Sequence, residues 1–126
     1  MQARSYLAGL VTGVVVAGAV ALIGMRVGAA PQAKMPAPAI KVLLENSQVR
    51  VREVTFAPGA GDTHTHEWAH VGVILTKGQL AFADTGKPEE VVAFEAGSAG
   101  FREAKVTHMV RNPGTEPMKV IEVEIK

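Results

Sequence analysis

From residue 40 onward the chain never holds a helical period, and this constrains its fold more than any other feature. No segment there keeps apolar residues in step at 3.6 residues over three turns. Instead, short runs rich in β-branched residues alternate with turn clusters. "QVRVREVTF" (48–56) alternates apolar and charged residues, and "APGAGD" (57–62) then breaks the chain. "VGVILT" (71–76) stops at Lys77-Gly78, and "QLAFAD" (79–84) sets Leu80 and Phe82 on one face. "TGKP" turns the chain into "EEVVAFEAG" (89–97), and "HMVRN" (108–112) leads into the turn "PGTEP". The last run, "MKVIEVEIK", puts Ile121, Val123 and Ile125 on one face and Glu122 and Glu124 on the other. About seven or eight short strands at regular spacing predict an all-β sandwich or barrel.

The N-terminal third reads differently. No acidic residue precedes Glu45, and Leu7 to Met25 carries no charge between Arg4 and Arg26. A span of about 20 apolar residues matches a bilayer core. A cleaved secretory signal has a shorter apolar stretch, roughly 7–15 residues. Length therefore favours an uncleaved hydrophobic helix, although Val27-Gly28-Ala29 before Ala30 fits a small-residue cleavage site. Gly9 and Gly13 form a G-x-x-x-G that fits helix packing in a membrane, but glycine is common in such spans. The expected organisation is an anchor or signal over residues 1–30, a Pro/Ala linker over 31–39 and a folded domain over 40–126. The domain is placed on the outer, periplasmic or extracytoplasmic side, either tethered to the membrane or secreted after cleavage.

Composition closes several function classes. A net charge of +1 gives no electrostatic case for a nucleic-acid partner. The absence of cysteine excludes disulfides, thiolate ligands and a cysteine nucleophile.

The chemistry concentrates in "HTHEWAH", His64 to His70. The chain has four histidines, and the fourth is His108. Read from His66, the stretch is H-E-x-x-H, the helical signature of zinc proteases with Glu67 as base. That reading needs a helix, yet the stretch runs straight into the β-branched Val71 to Thr76. No histidine follows at the metzincin offset, and Glu89, the remaining candidate third ligand, looks like part of an edge strand. Read as a strand, His64, His66, Trp68 and His70 share a parity and face one side. His108 and Asn112 are likewise in phase. The strand reading is preferred.

On these residues the chain resembles the cupins, small jelly-roll β-barrels. Their first motif is a glycine, five residues, H-x-H, three or four residues, E, six residues and a glycine. Their second runs G, five residues, P-x-G, two residues, H, three residues, N. His64 and His66 meet the first H-x-H, and Gly78 closes that motif. Gly59 and Gly61 lie upstream, neither at the family offset. Gly97, His108 and Asn112 meet the second with the family spacing. Three positions depart. His70 stands where the first-motif Glu is expected, with one extra residue before Gly78, which implies a bulge near Trp68 to Gly72. Glu103 replaces the proline of the second motif and Lys105 its glycine, so a differently shaped turn is expected before His108.

The resemblance implies a cupin double-stranded β-helix (jelly-roll) barrel with one divalent metal ion inside. His64, His66 and His108 would be the ligands, with His70 a fourth in place of the carboxylate. The ion would be Fe, Mn, Zn, Ni or Cu; imidazole suits Zn, Cu, Fe and Ni, so the metal is not identified. An all-imidazole site would keep more positive charge and act as a stronger Lewis acid. Trp68, Glu103, Lys105 and Asn112 are weaker candidates for the pocket, with Glu103 and Lys105 as acid/base groups at its mouth; catalytic residues are not assigned. The leading expectation is a metal-binding module for a small polar or anionic ligand. The alternatives are a metal-dependent dioxygenase or an isomerase of a small carbonyl or sugar acid, and a structural dimeric barrel. A homodimer partner would cover exposed strand edges.

Overall fold

The computed structural model describes residues 34–126, and the expected anchor or signal over 1–30 lies outside the described residues. Nine strands follow one another with no helix among the described residues: β1 Ala39–Glu45, β2 Val49–Phe56, β3 Gly61–Thr65, β4 Ala69–Ile74, β5 Gly78–Asp84, β6 Glu90–Phe94, β7 Ala99–Arg102, β8 Thr107–Arg111 and β9 Met118–Ile125. They form two antiparallel sheets, one in the order β1-β2-β9-β4-β7 and the other β3-β8-β5-β6. The predicted all-β jelly roll is therefore present. Strands β1 and β7 carry no sequence expectation, because "AIKVLLE" lacks a clean alternation and "AGFR" is only four residues long.

The larger sheet overturns the simplest reading of its pattern. Residues opposed in register share a face. One row runs Val51, Val123, Val71 and Phe101 across β2, β9, β4 and β7. The adjacent row runs Arg50, Glu124, His70 and Arg102 across the same strands. Binary patterning would bury the valines, but here it is the charged row that turns inward. Glu124 is 3% exposed and His70 7%, whereas Phe101 is 59% exposed and Ile125 47%.

The inner faces divide along the barrel. At one end Val54, Phe56, Ile74, Leu80, Val110, Met118 and Val120 form the buried core, with Phe82 and Phe94 packed against it. Each such side chain contributes roughly 1.5–3 kcal/mol on burial. At the other end the same strands carry Arg50, Arg52, Glu122, Glu124 and the histidines. Arg50 pairs with Glu124, and Arg52 bridges Glu122 and Glu124. Burying these groups is tolerated because each charge meets its opposite across the β2–β9 ladder.

Two backbone features set the smaller sheet. A Cβ on Gly61 would lie 2.4 Å from the carbonyl oxygen of Val110, so only glycine lets β3 approach β8 here. That approach aligns His64 with His108 in register. Lys105 holds φ at +64°, the left-handed conformation that glycine adopts freely. The turn before His108 thus keeps the shape its motif glycine would give, contrary to the expectation of a different one. Left-handed backbone costs a side-chain-bearing residue about 1–2 kcal/mol, and glycine's extra freedom in the unfolded chain returns about 0.4–1 kcal/mol of that. Lys105→Gly is accordingly expected to raise stability by about 0.5–1 kcal/mol, read as a higher Tm; a lower Tm contradicts the strain argument.

Candidate metal centre

"HTHEWAH" is neither a protease helix nor one strand. His64 lies in β3 of the smaller sheet, and His70 lies in β4 of the larger one. The chain crosses between the sheets at residues 66–68. His66 sits just past the end of β3, where its backbone is held on both sides. Its N–H donates to the Val106 carbonyl at 3.0 Å, and its carbonyl accepts from Lys105 N–H at 2.7 Å. The expected bulge near Trp68 to Gly72 is absent, because β4 pairs in unbroken register with β9 and β7. The register shift falls in β1 instead, between Val42 and Leu44.

The crossing brings the histidines together. Nε2 of His66 lies 3.0 Å from Nε2 of His64 and 2.8 Å from Nε2 of His108. One donor atom from each of the three lies within 4.8 Å of the others. His64 Nδ1 meets Asp62 Oδ1 at 3.0 Å. The carboxylate can only accept, so it holds the proton on Nδ1 and leaves the Nε2 lone pair free. This is the outer hydrogen bond that metal-ligating histidines ordinarily make. Asp62 was missed in the sequence, although its parity with His64 and His66 is visible as D-x-H-x-H.

The donor set fits a metal. His66 Nε2 faces two imidazole nitrogens and can share a proton with only one of them. Ligands held at about 2.0–2.1 Å from a common ion at right angles sit about 3 Å apart, which matches the observed spacing. Burial favours the neutral imidazoles that such a site requires. Desolvation first, then the neighbouring histidines, push His66 down to about 3. Desolvation and the Arg102 guanidinium push His108 down to about 4.

His70 lies beside this trio and outside it. Its ring lies 4.1 Å from that of His66, centroid to centroid, and its Nδ1 is buried without a hydrogen-bond partner among the described residues. Desolvation lowers its pKa as well.

A cavity of about 440 Å³ opens in front of all four rings. Phe56, Ile74, Leu80 and Val110 form its apolar floor, and Asp84, Arg102 and Glu122 its polar wall. Its room comes from Gly72 and Gly100, opposed in register where the sheet would otherwise carry side chains.

The weaker pocket candidates fall elsewhere. Trp68 does not line this cavity, since the crossing points it away toward Arg50 and Lys126, whose cationic groups lie 4.9 and 5.1 Å from its ring. Glu103 and Lys105 are exposed in the β7–β8 turn and are not among the residues lining the cavity. Asn112 is 1% exposed and structural: its Nδ2 donates to the carbonyls of Phe56 and Glu116, and its Oδ1 accepts from Gly114 N–H. Glu67 is exposed and Glu89 pairs with Arg111, so neither completes a protease site.

The cupin domain family matches residues 52–124, more than half of the chain. The chain belongs to the cupin family. This cupin is 38% identical over 86 residues to a Pseudomonas aeruginosa protein named beta-alanine degradation protein BauB, covering 68% of the chain and 90% of that protein. Its fold matches a cupin domain from Bordetella pertussis Tohama I at a TM-score of 0.69 and 30% identity, over 74% of this chain and 97% of that one. It also matches the TT1209 protein of Thermus thermophilus at a TM-score of 0.55 and 23% identity, over 71% and 84% of the two chains. That second likeness speaks to fold alone.

The lowered histidine pKa values carry a stability consequence. Between about 6.5 and about 3, an unfolded His66 binds a proton that the folded one does not. Stability contributed by the neutral cluster is therefore complete above about 6.5 and is lost as pH falls through this window. The metal-free domain is expected to show a Tm that drops steadily from pH 7 to pH 4. A flat profile in that window contradicts the buried neutral cluster.

Proposed function

We propose that the domain is a metal-binding cupin that holds one divalent ion at His64, His66 and His108 and offers it to a small polar or anionic ligand in the adjoining cavity. The observation that carries this reading is that His66 Nε2 lies about one coordination edge from each of its two neighbours, 3.0 Å from His64 Nε2 and 2.8 Å from His108 Nε2, with all three donors within 4.8 Å. Asp62 orients the His64 ring, and the backbone bonds at Lys105 and Val106 fix His66. His70 packs on His66 and excludes water from its far side. When bound, the ion supplies a Lewis-acid position facing the cavity. Elemental analysis of the purified full chain tests the reading: about one ion per chain is expected, and a chain that takes up no Fe, Mn, Zn, Ni or Cu rejects it.

An enzymatic role is the second reading. It is favoured by a cavity that reaches the histidines and by the degradative name of the Pseudomonas aeruginosa relative. A metal-dependent dioxygenase or an isomerase of a small carbonyl acid fits that context, and substrate-dependent oxygen uptake separates the two.

Two partners belong to the same proposal. The outward row of Val51, Val123, Val71 and Phe101, with Ile125 beside it, is an apolar sheet face suited to a second copy of the chain. The uncharged Leu7 to Met25 span supports tethering to a membrane, or export, with the cupin domain outside.

A further inference from the structure

We infer that Arg102 makes this cavity a receptor for small monocarboxylates that carry a short apolar chain. The inference deepens the metal-centre reading and rests on it for the ion beside the ligand.

Arg102 ends β7 on the inward row with His70, so its side chain enters the cavity beside the histidines. His64, His66, His70 and His108 line the same cavity. The Arg102 guanidinium is held in place yet uncommitted. It lies 5.4 Å over the Phe82 ring, and its only hydrogen-bond partner among the described residues is Asp84, at 3.4 Å. That contact uses one of five N–H donors at long range. Arg50, Arg52 and Arg111 are all engaged by glutamates. Arg102 is thus left with a planar fork of donors facing a cavity beside the histidines, which is the geometry that receives a carboxylate in bidentate fashion.

The rest of the wall defines the remainder of the ligand. Leu80, Phe82, Val92 and Phe94 give the cavity apolar surface, and Phe82 lies directly under the Arg102 guanidinium. Beyond Arg102, a second anionic group would meet Asp84, Glu90 or Glu122, and the one other cation of the lining is Lys87, which already contacts Asp84 at 3.4 Å, so a single carboxylate is the better match. Gly100, two residues before Arg102 on the same face, sets the length available. A Cβ built there meets nothing within 4 Å, so a side chain at this position projects into open space.

The test is calorimetric titration of the full chain, metal-loaded and metal-free, with linear monocarboxylates from propanoate to octanoate and with the matching primary amides. Metal content is measured on every sample. Wild type is expected to bind the acids and not the amides. Arg102→Gln is expected to weaken acid binding about 10- to 100-fold while metal content stays unchanged, and Arg102→Lys is expected to fall between. Gly100→Val is expected to shift the preference toward shorter acids, and an unchanged preference removes the apolar chain from the proposal. Equal acid affinity in wild type and Arg102→Gln overturns the role of Arg102, as does amide binding as tight as acid binding. Metal uptake without acid binding overturns it too, and leaves the metal-centre reading standing. Arg102-dependent acid binding to a chain that takes up no metal supports Arg102 and rejects the metal centre. Neither metal uptake nor acid binding rejects both.

Discussion

His66→Ala is expected to lower metal affinity by more than about 100-fold, beyond the roughly 10- to 100-fold typical of losing an outer-shell partner. His66 is the hub of the trio, since its Nε2 alone approaches both other ligand nitrogens. Its removal leaves His64 and His108 on opposed strands with nothing between them. Asp62→Asn is the graded companion. It keeps every imidazole but weakens the bond that fixes the His64 tautomer, so a loss of about 10- to 100-fold is expected. Both are read by competition with a chelator of known affinity, with far-UV circular dichroism to confirm the β fold. Wild-type affinity in a folded His66→Ala protein rejects His66 as a ligand.

The second large effect is on stability. Glu124 is 3% exposed, receives Arg50 in a bidentate pair and lies 3.3 Å from Arg52. Removing one partner of a buried ion pair costs about 3–5 kcal/mol, because the remaining charges stay buried without compensation. The Arg50 side chain keeps 27% of its exposure, so its charge can turn toward water and the low end applies. Glu124→Gln is expected to cost about 3 kcal/mol and to lower Tm by at least about 10 °C in a domain of this size. A shift of only a few degrees means that the pair is solvated and that this end of the barrel is wetter than its packing indicates.

Much of the architecture was legible because strands leave a local signature. Val49–Phe56, Gly78–Asp84, Thr107–Arg111 and Met118–Ile125 each lie where β-branched alternation and turn residues place them. The histidines were legible as a group because there are only four and the H-x-H spacing is specific. Trp68 was misplaced on the His64 face for a definite reason, while His70 reaches the same cavity from the other sheet. Parity orders side chains only while a strand continues, and the chain leaves β3 at His66 to join the opposite sheet. Arg102 gave no signal, since "AGFR" is too short to show a period and its partner Asp84 is 18 residues away.

Local chemistry by itself determined that this chain is all-β and carries a cluster of candidate metal ligands. Propensity, turn residues and histidine spacing act over a few positions and need no partner strand. Only the tertiary structure decided which face of each strand is inside. Alternation is symmetric, and it marks two faces without naming the buried one. The choice fell to the β2–β9 register, which sets Arg50 against Glu124 and Arg52 against Glu122. With their charges matched across the ladder, this polar row could turn inward beside the histidines, and Val51, Val71 and Val123 were left on the outer face.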